Sequence, residues 1–231
     1  MNFFPLAQPF LFILFFLVAL LIISVQIGIL GFVYERIGVS QAYIFSLLVL
    51  SLLGSYINIP ITELDVKQIV PPQEVSFFGV RYIIPETVKL SRTIVAVNIG
   101  GAVIPSLLSL YLLVKQRLFW QAAVAVTLVA TLVHFFAYPV RGVGIAVPTF
   151  VPPVVAASVA LVFARRNAAP LAYICGSVGT LIGADLSNLD RLPALGAPVA
   201  SIGGAGTFDG IFLSGILAVL LALVFQPTHG K

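Results

Sequence analysis

Between Phe10 and Val33 the chain runs for 24 residues without a charged side chain. A helix needs about 20 apolar residues to cross a bilayer, because the hydrocarbon layer is about 30 Å thick and a helix rises about 1.5 Å per residue. Hydrophobic residues make up 60% of the 231 positions and charged residues only 9%, whereas soluble domains carry roughly a quarter charged residues. The sequence therefore predicts an integral membrane protein made mainly of transmembrane helices.

Apolar runs recur along the rest of the chain and are separated by short polar loops. They predict about seven spans, at residues 10–33, 42–57, 93–114, 119–138, 148–164, 170–185 and 207–225. The residues before the first span lack the basic start and the cleavage site of a signal peptide, so that span is predicted to be retained. The expected fold is an all-α polytopic membrane protein, with residues 1–231 forming a single membrane domain.

The longest polar stretch, residues 58–92, lies between the second and third predicted spans. Within it, the stretch from Glu74 to Pro85 places β-branched and aromatic residues on both sides of Gly79, a pattern typical of a β-hairpin. We expect this stretch to form a small extracytoplasmic cap on the membrane surface, within the membrane domain.

Lysine and arginine in short loops indicate the orientation, because these residues resist translocation. One set of alternate loops holds most of them: Arg36, Lys115, Arg117, Arg165, Arg166 and Lys231. The short loops on the other side hold Arg141 and Arg191. The N-terminus is therefore predicted to lie outside and the C-terminus in the cytoplasm, in a multi-pass protein of the cell membrane.

Two acids at the predicted outer face are the candidate catalytic residues, since a charge at the edge of a membrane span is costly and suggests function. Asp185 lies near the C-terminal end of the sixth span, where the helix dipole disfavours a negative charge. Asp209 lies in the first turn of the seventh span, behind a run of glycines. A polar pocket is predicted to open outward beneath the cap, and its candidate binding residues are Asn58, Asn98, Arg141 and Arg191.

Simpler structural roles stay open for both acids. The helix dipole favours an aspartate in a first turn, so Asp209 could be purely structural. Asp185 could cap a turn at the end of its helix, or pair with one of the arginines. In addition, Gly176, Gly179 and Gly183 form a packing stripe nearly opposite Asp185 on a straight helix. If that stripe faces the seventh span, Asp185 points away from it.

The sequence offers few ligands for a metal or a cofactor, and none is predicted. Cys175 is the only cysteine, and His134 and His229 are the only histidines, too few for the common cysteine and histidine metal cages. The net charge of +4 is spread over loops and does not predict a nucleic-acid partner. The expected partners are the lipid bilayer and, through glycine-rich helix faces, another membrane protein or a second copy of the chain.

Four segments of the chain resemble the signature segments of one prokaryotic family of integral membrane proteins, catalogued as domain of unknown function 1614. They are Gly54-Ser-Tyr-Ile-Asn-Ile-Pro60, Asn98-Ile-Gly-Gly-Ala-Val-Ile-Pro105, Gly183-Ala-Asp-Leu186 and Gly204-Ala-Gly-Thr-Phe-Asp-Gly-Ile-Phe212. The resemblance covers nearly the whole chain. It implies a membrane protein and no particular activity.

A second resemblance is to presenilin-type intramembrane aspartyl proteases, which place one aspartate in one helix and another in a Gly-x-Gly-Asp motif of the next. Asp185 and Asp209 lie near adjoining ends of consecutive spans, and Gly204-Ala-Gly206 precedes the second acid. The chain departs from the motif by inserting Thr207-Phe208. It also has Ala184 where the family has a tyrosine, and its Pro193-Ala-Leu195 lies between the acids instead of after them.

Three functions are therefore compatible with the sequence. An intramembrane aspartyl hydrolase would need Asp185 and Asp209 close together, because paired carboxylates divide into an acid and a base. A cation or proton-coupled transporter would bind its ion at the same acids, with Asn98, and would need a path to the cytoplasmic face. A non-catalytic membrane subunit or binding module would have the acids separately paired to arginines or backbone amides.

Overall fold

The computed structural model describes residues 8–70, 73–77, 80–84, 87–140, 144–195, 198–204 and 210–226. Seven apolar α-helices lie within them. They are α1 (Gln8–Ile37), α2 (Gln41–Gly54), α3 (Ile104–Gln116), α4 (Phe119–Phe136), α5 (Val151–Phe163), α6 (Ala168–Ile174) and α7 (Gly210–Phe225).

Helices α3 and α6 adjoin segments of other helix types: π-helical segments, whose turns are wider, and 3₁₀ segments, whose turns are tighter. A π-helical segment, Ile99–Val103, leads into α3. Two more π-helical segments, Cys175–Gly179 and Leu181–Asp185, follow α6 and lead into a 3₁₀ segment, Leu186–Leu195. A short 3₁₀ turn, Arg165–Asn167, precedes α6. Because π-helical turns occur mostly as single-turn bulges, which are frequent at functional sites, the two after α6 mark a candidate functional region.

Four helical stretches in the described part of the chain are long and apolar enough to cross a membrane. They are Phe15–Ile37, Ile99–Gln116, Phe119–Phe136 and Ala168–Leu192. Three shorter apolar helices accompany them: Ala42–Gly54, Val151–Phe163 and Gly210–Phe225. Each of the seven coincides with a predicted span, and the four long helices indicate a membrane protein. It stays a prediction that the three shorter helices also cross the membrane. The type of membrane and the orientation of the chain likewise stay predictions.

The stretch from Ala168 to Leu192 is the centre of the helical bundle, because 78% of its most apolar window is buried, against 6% for α1. It packs against α4, α5 and α7. The contacts are made largely by small side chains, which let helix backbones approach closely where lipid provides no hydrophobic driving force. The buried alanines are Ala156 and Ala160 on α5, Ala168 and Ala172 on α6, and Ala218 and Ala222 on α7.

The prediction of an all-α fold is incomplete, because the described chain also contains seven strands. Strands β1 (Asn58–Val70), β2 (Gln73–Phe77), β3 (Val80–Ile84) and β4 (Thr87–Asn98) fill the long polar stretch. Strands β5 (Tyr138–Val140) and β6 (Gly144–Ala146) pair with each other, and β7 (Val199–Ile202) precedes α7. A three-stranded sheet has the order β1-β4-β7, with β4 and β7 parallel.

The polar stretch forms two antiparallel strand pairs that share one register. Strands β1 and β4 pair from Asn58 opposite Asn98 to Val70 opposite Thr87, with one irregularity between Pro60 and Thr62. Strands β2 and β3 take up the same register three residues further on, at Gln73 opposite Ile84. The pairing of β2 with β3 matches the predicted hairpin. Its role as an extracytoplasmic cap stays a prediction.

The predicted start of the third span, at residue 93, is wrong. Thr93–Asn98 belong to β4, and the helix begins only at Ile99. The run Thr-Ile-Val-Ala-Val suits a strand, since β-branched residues favour extended backbone. Its pairing with both β1 and β7 satisfies the backbone groups that a helix would otherwise satisfy.

Candidate functional site

A cavity of about 370 Å³ lies where the Asp185 end of the central helix meets β6, β7 and the start of α7. Its walls are mostly apolar, as in small-molecule sites, which measure about 300–1,000 Å³ and carry only a few polar groups. The polar side chains that line it are Thr149, Thr180, Asp185, Ser201 and Ser214. This cavity, called the Asp185 cavity below, contains one of the two predicted catalytic acids and is the candidate functional site.

Asp185 is held at the last position of the π-helical segment Leu181–Asp185. Its Oδ2 accepts a hydrogen bond of 2.7 Å from the backbone N–H of Gly203. The ion pairs in the described part of the chain join Arg92 to Glu63 and Asp65, so no described lysine or arginine neutralises Asp185. Asp185 is partly buried. A carboxylate with reduced access to water and no cationic partner is costly, and a proton or a bound cation would relieve that cost.

Only glycine fits at position 203, where the chain turns to bring its N–H to Asp185. Gly203 has a φ of +92°, a backbone conformation that side chains disfavour. A Cβ atom at this position would lie 2.6 Å from both N and Cβ of Ala102. The tight contact with the π-helical segment before α3 thus fixes the loop that supplies the hydrogen-bond donor.

Asp185 does not cap the turn that follows it, because its described hydrogen bond goes to the distant Gly203, and the end of the helix is capped by Asn188. Asn188 is fully buried, and its Nδ2 donates hydrogen bonds to the carbonyl oxygens of Gly183, at 3.1 Å, and of Ala184, at 2.8 Å. These carbonyls are among those that a helix end leaves without partners. The chain continues past Asp185 into the 3₁₀ segment. The structural explanation of Asp185 as a turn cap is therefore wrong.

The glycine stripe of the central helix does not face a single neighbour. A Cβ at Gly176 would meet Ser214, Gly215 and Ala218 of α7, whereas Cβ atoms at Gly179 and Gly183 would meet α4. The two π-helical segments change the angle between successive residues, so the straight-helix argument fails. Asp185 consequently lines a cavity that is also lined by Gly210, Ile211 and Ser214 at the start of α7.

Sequence reasoning missed Thr180, which also lines the cavity. Its side chain is 4% exposed, and its Oγ1 has no hydrogen-bond partner. Serine and threonine in membrane helices often bond to the carbonyl four residues earlier, as Ser214 does with Gly210, at 2.5 Å. The sequence of an apolar run does not show whether a hydroxyl bonds to its own helix or stays without a partner, so the sequence could not single out Thr180.

Asn58 and Asn98 form a hydrogen-bond network next to the Asp185 cavity and do not line it. Asn98 Nδ2 donates to the Ser55 carbonyl at 2.7 Å and to Asn58 Oδ1 at 3.1 Å, and Asn98 Oδ1 accepts from the N–H of Gly101 at 2.8 Å. Ser201, which does line the cavity, donates to Asn58 Oδ1 at 2.6 Å. The network joins three elements: the end of α2, the end of the β1–β4 pair at Asn58 and Asn98, and β7. A binding role for the two asparagines stays a prediction.

Three predicted site residues remain: Arg191, which does not line the cavity, Asp209 and Arg141. Arg191 lies in the 3₁₀ segment and is exposed. Asp209 and Arg141 lie outside the described residues, so the predicted pairing of Asp185 with Asp209 or Arg141 stays untested. Among the described residues, no three His, Cys, Asp or Glu side chains are grouped to hold a metal ion.

The surroundings of Asp185 support the three candidate functions to different degrees. The backbone hydrogen bond from Gly203 to Asp185 is the contact expected of a non-catalytic module. The cavity beside Asp185, the absence of a described cationic partner and the unpaired Thr180 hydroxyl are features that a purely structural acid does not require.

The chain was compared with curated proteins, solved structures and protein-family models. No curated protein matches it, and no solved structure matches it. The resemblance to presenilin-type proteases therefore stays a prediction. One family model, described as protein of unknown function (DUF1614), matches residues 52–221. This match includes both predicted acids, the strand pairs and six of the seven helices wholly or in part, and the chain belongs to the DUF1614 family.

Proposed function

We propose that the protein is a membrane transporter in which the carboxylate of Asp185 binds a proton or a small monovalent cation. The observation that supports this proposal is the position of Asp185 itself. It lines a cavity at the end of the most buried helix, and its described hydrogen bonds consist of one backbone N–H. Intramembrane acids in such positions commonly bind ions or relay protons.

The chemistry of the cavity supports a proton or a monovalent ion more than a divalent metal. A divalent ion such as Ca²⁺ takes six to eight oxygen ligands, typically from several carboxylates. Asp185 is the single acidic residue among the described residues that line the cavity, and the other polar side chains are hydroxyls. One negative charge balances one proton or one monovalent cation.

The test is ion flux into vesicles that contain the purified full-length protein, driven by an imposed membrane potential. Proton entry is followed with a trapped pH-sensitive dye, and sodium or potassium entry with radiotracers. We expect Asp185→Asn to reduce the flux to that of empty vesicles, because the amide keeps the shape but cannot carry the negative charge. Asp190→Asn, at an exposed acid on the adjoining 3₁₀ segment, is the matched control and should retain the wild-type flux.

Two results would refute the transporter proposal. One is a wild-type protein that moves none of these ions faster than empty vesicles. The other is an Asp185→Asn variant whose flux equals that of the wild type.

A second candidate, the aspartyl hydrolase, is favoured by one specific observation. Gly204 and Gly210, the described residues on either side of the stretch that contains Asp209, both line the Asp185 cavity. A hydrolase needs the two carboxylates close enough to share a proton. In a Cys175→Ala background, Asp185→Cys with Asp209→Cys should then form a disulfide or be joined by a short thiol-specific reagent. Failure of both reactions would exclude the acid pair.

A further inference from the structure

The Asp185 cavity is much larger than a proton or a bare metal ion requires. Its volume is about 370 Å³, whereas a water molecule takes about 30 Å³ in the liquid. A proton or an alkali metal ion at Asp185 would therefore leave room for roughly a dozen water molecules. An apolar cavity of about 150 Å³ already holds a molecule of benzene. The volume thus suits a small organic molecule better than a bare ion.

The walls of the cavity favour an alkyl chain over water. Aliphatic side chains form much of the lining: Ile145, Val147, Leu192, Val199, Ile202 and Ile211. A buried water typically makes two to four hydrogen bonds to polar groups, and walls of this kind offer few. The alkyl part of a ligand gains affinity by leaving water for such a surface.

The carboxylate of Asp185 determines the charge of the ligand. Its Oδ2 accepts the N–H of Gly203, and no other hydrogen bond from the described chain reaches the carboxylate. Oδ1 is therefore available to a ligand. Asp185 is also the last residue of the π-helical segment Leu181–Asp185, and the C-terminal end of a helix carries a partial negative charge. Both features attract a cation.

Two serine oxygens in the lining can accept hydrogen bonds from a ligand but cannot donate them. Ser201 Oγ lies 2.6 Å from Asn58 Oδ1 and 2.7 Å from the carbonyl oxygen of Gly204, and Ser214 Oγ donates to the Gly210 carbonyl. A hydroxyl has one proton and two lone pairs. Since these protons are used inside the protein, the lone pairs remain for a ligand with N–H groups.

One turn of the chain supports both the carboxylate and a serine acceptor. Within residues 201–204, the N–H of Gly203 donates to Asp185, and the carbonyl of Gly204 lies within hydrogen-bond distance of Ser201 Oγ. Asp185 and Ser201 both line the cavity. The negative charge and an acceptor are therefore presented by the same edge of the cavity.

We infer that the cation bound at Asp185 is a small aliphatic ammonium ion, whose alkyl chain lies against the apolar walls. The inference rests on the proposed function, because it names the cation that Asp185 binds. A primary ammonium group has three N–H donors, which match the acceptors of Asp185, Ser201 and Ser214. A quaternary ammonium ion lacks N–H groups and is typically held by aromatic rings, and the described lining contains no aromatic residue. In the absence of the ammonium ion the same carboxylate binds a proton, which the flux measurement above detects.

The test is isothermal titration calorimetry of the purified full-length protein in lipid nanodiscs, with primary alkylammonium chlorides from methyl to pentyl. We expect each added CH₂ group to tighten binding about fourfold, through burial of apolar surface. Asp185→Asn should abolish saturable binding. Tetramethylammonium lacks N–H groups and 1-butanol lacks charge, so both should bind at least about tenfold more weakly than butylammonium. Sodium and potassium should also bind more weakly than butylammonium.

A steric variant keeps the inference testable if Asp185→Asn does not fold. Gly210 lines the cavity, and a Cβ there would meet no atom within 4 Å. Gly210→Leu should therefore occupy part of the cavity and weaken pentylammonium binding by about tenfold or more, with a smaller effect on methylammonium. Gly28→Leu, at an equally open position of α1 away from the cavity, is the matched control and should bind both ions as the wild type does. Thermal unfolding before titration shows which variants are folded.

The possible results separate this inference from the transporter proposal. Binding that depends on Asp185 and tightens with chain length supports the ammonium site. The inference is wrong if no alkylammonium ion binds, if sodium binds more tightly than butylammonium, or if Asp185→Asn binds butylammonium as the wild type does. Equal binding of 1-butanol and butylammonium would also overturn it. If Asp185→Asn abolishes ion flux but no alkylammonium ion binds, the transporter proposal stands alone. If butylammonium binds at Asp185 but no ion enters the vesicles, the ammonium site stands and the transporter proposal fails.

Discussion

Substitution of Gly203 by alanine should destabilise the protein far more than the same substitution at Gly144. Both glycines have positive φ angles, +92° and +136°, so alanine at either position is strained, at a cost of about 1–2 kcal/mol. At Gly144 nothing lies within 4 Å of the added Cβ, and the strain is the whole effect. At Gly203 the added Cβ would lie 2.6 Å from two atoms of Ala102, and the backbone has to move.

The movement at Gly203 also breaks the hydrogen bond to Asp185, and the two losses together set the magnitude. Overpacking costs about 1–3 kcal/mol, and a hydrogen bond to a charged group contributes about 1.5–3 kcal/mol. Gly203→Ala should therefore cost about 3 kcal/mol more than Gly144→Ala. For a protein of this size that difference is about 6–12 °C in the unfolding midpoint, measured by thermal unfolding of the purified variants in the same detergent.

A double-mutant cycle assigns the part of the loss that belongs to the hydrogen bond. In an Asp185→Asn background the charge-assisted bond is absent from the start, so Gly203→Ala should cost less than it does in the wild type. An equal unfolding midpoint for Gly203→Ala and Gly144→Ala would refute the close contact with Ala102. An unchanged cost in the Asp185→Asn background would refute the contribution of the Gly203 N–H to holding Asp185.

Three further outcomes follow from the same contacts. Asn98→Ala leaves the Ser55 carbonyl and Gly101 N–H without their partner, and denaturant unfolding should show a loss of about 2–5 kcal/mol; a loss below about 0.5 kcal/mol would contradict that network. Asn188→Ala frees helix-end carbonyls and should speed amide hydrogen exchange in the 3₁₀ segment, whereas unchanged exchange there would argue against its capping role. Replacing residues 67–90 by Asn-Gly should leave the unfolding midpoint of the bundle unchanged, because β4 pairs with β7 only through Ile94–Val97; a bundle that fails to fold would disprove this.

The strand pairs show where reasoning from the sequence reached a limit. Gly79 and the β-branched and aromatic residues on both sides of it predicted the pairing of β2 with β3, because that information is local. Thr93–Asn98 was assigned to a helix, since a short apolar run next to a long one reads equally well as the start of a span. Its partners in the sheet are Asn58–Leu64 and Val199–Ile202, and the second of these lies about a hundred residues further along the chain.

The sequence by itself determined the class of protein and the order of its helices. Length and apolarity of a span follow directly from the thickness of the bilayer, so seven apolar helices could be placed without knowledge of any contact. The sequence also identified Asp185 as unusual, because a charge near the end of an apolar run is costly wherever the helix packs.

The tertiary structure alone decided what surrounds Asp185. Its hydrogen-bond donor, Gly203, is eighteen residues away in a loop whose conformation depends on packing against Ala102. The direction in which Asp185 faces depends on two π-helical segments, which no periodicity in the sequence revealed. Thr180 became a candidate only when its oxygen was found buried without a partner beside the Asp185 cavity. Hydrogen bonding of a hydroxyl is a property of its three-dimensional surroundings, and the sequence around Thr180 does not reveal them.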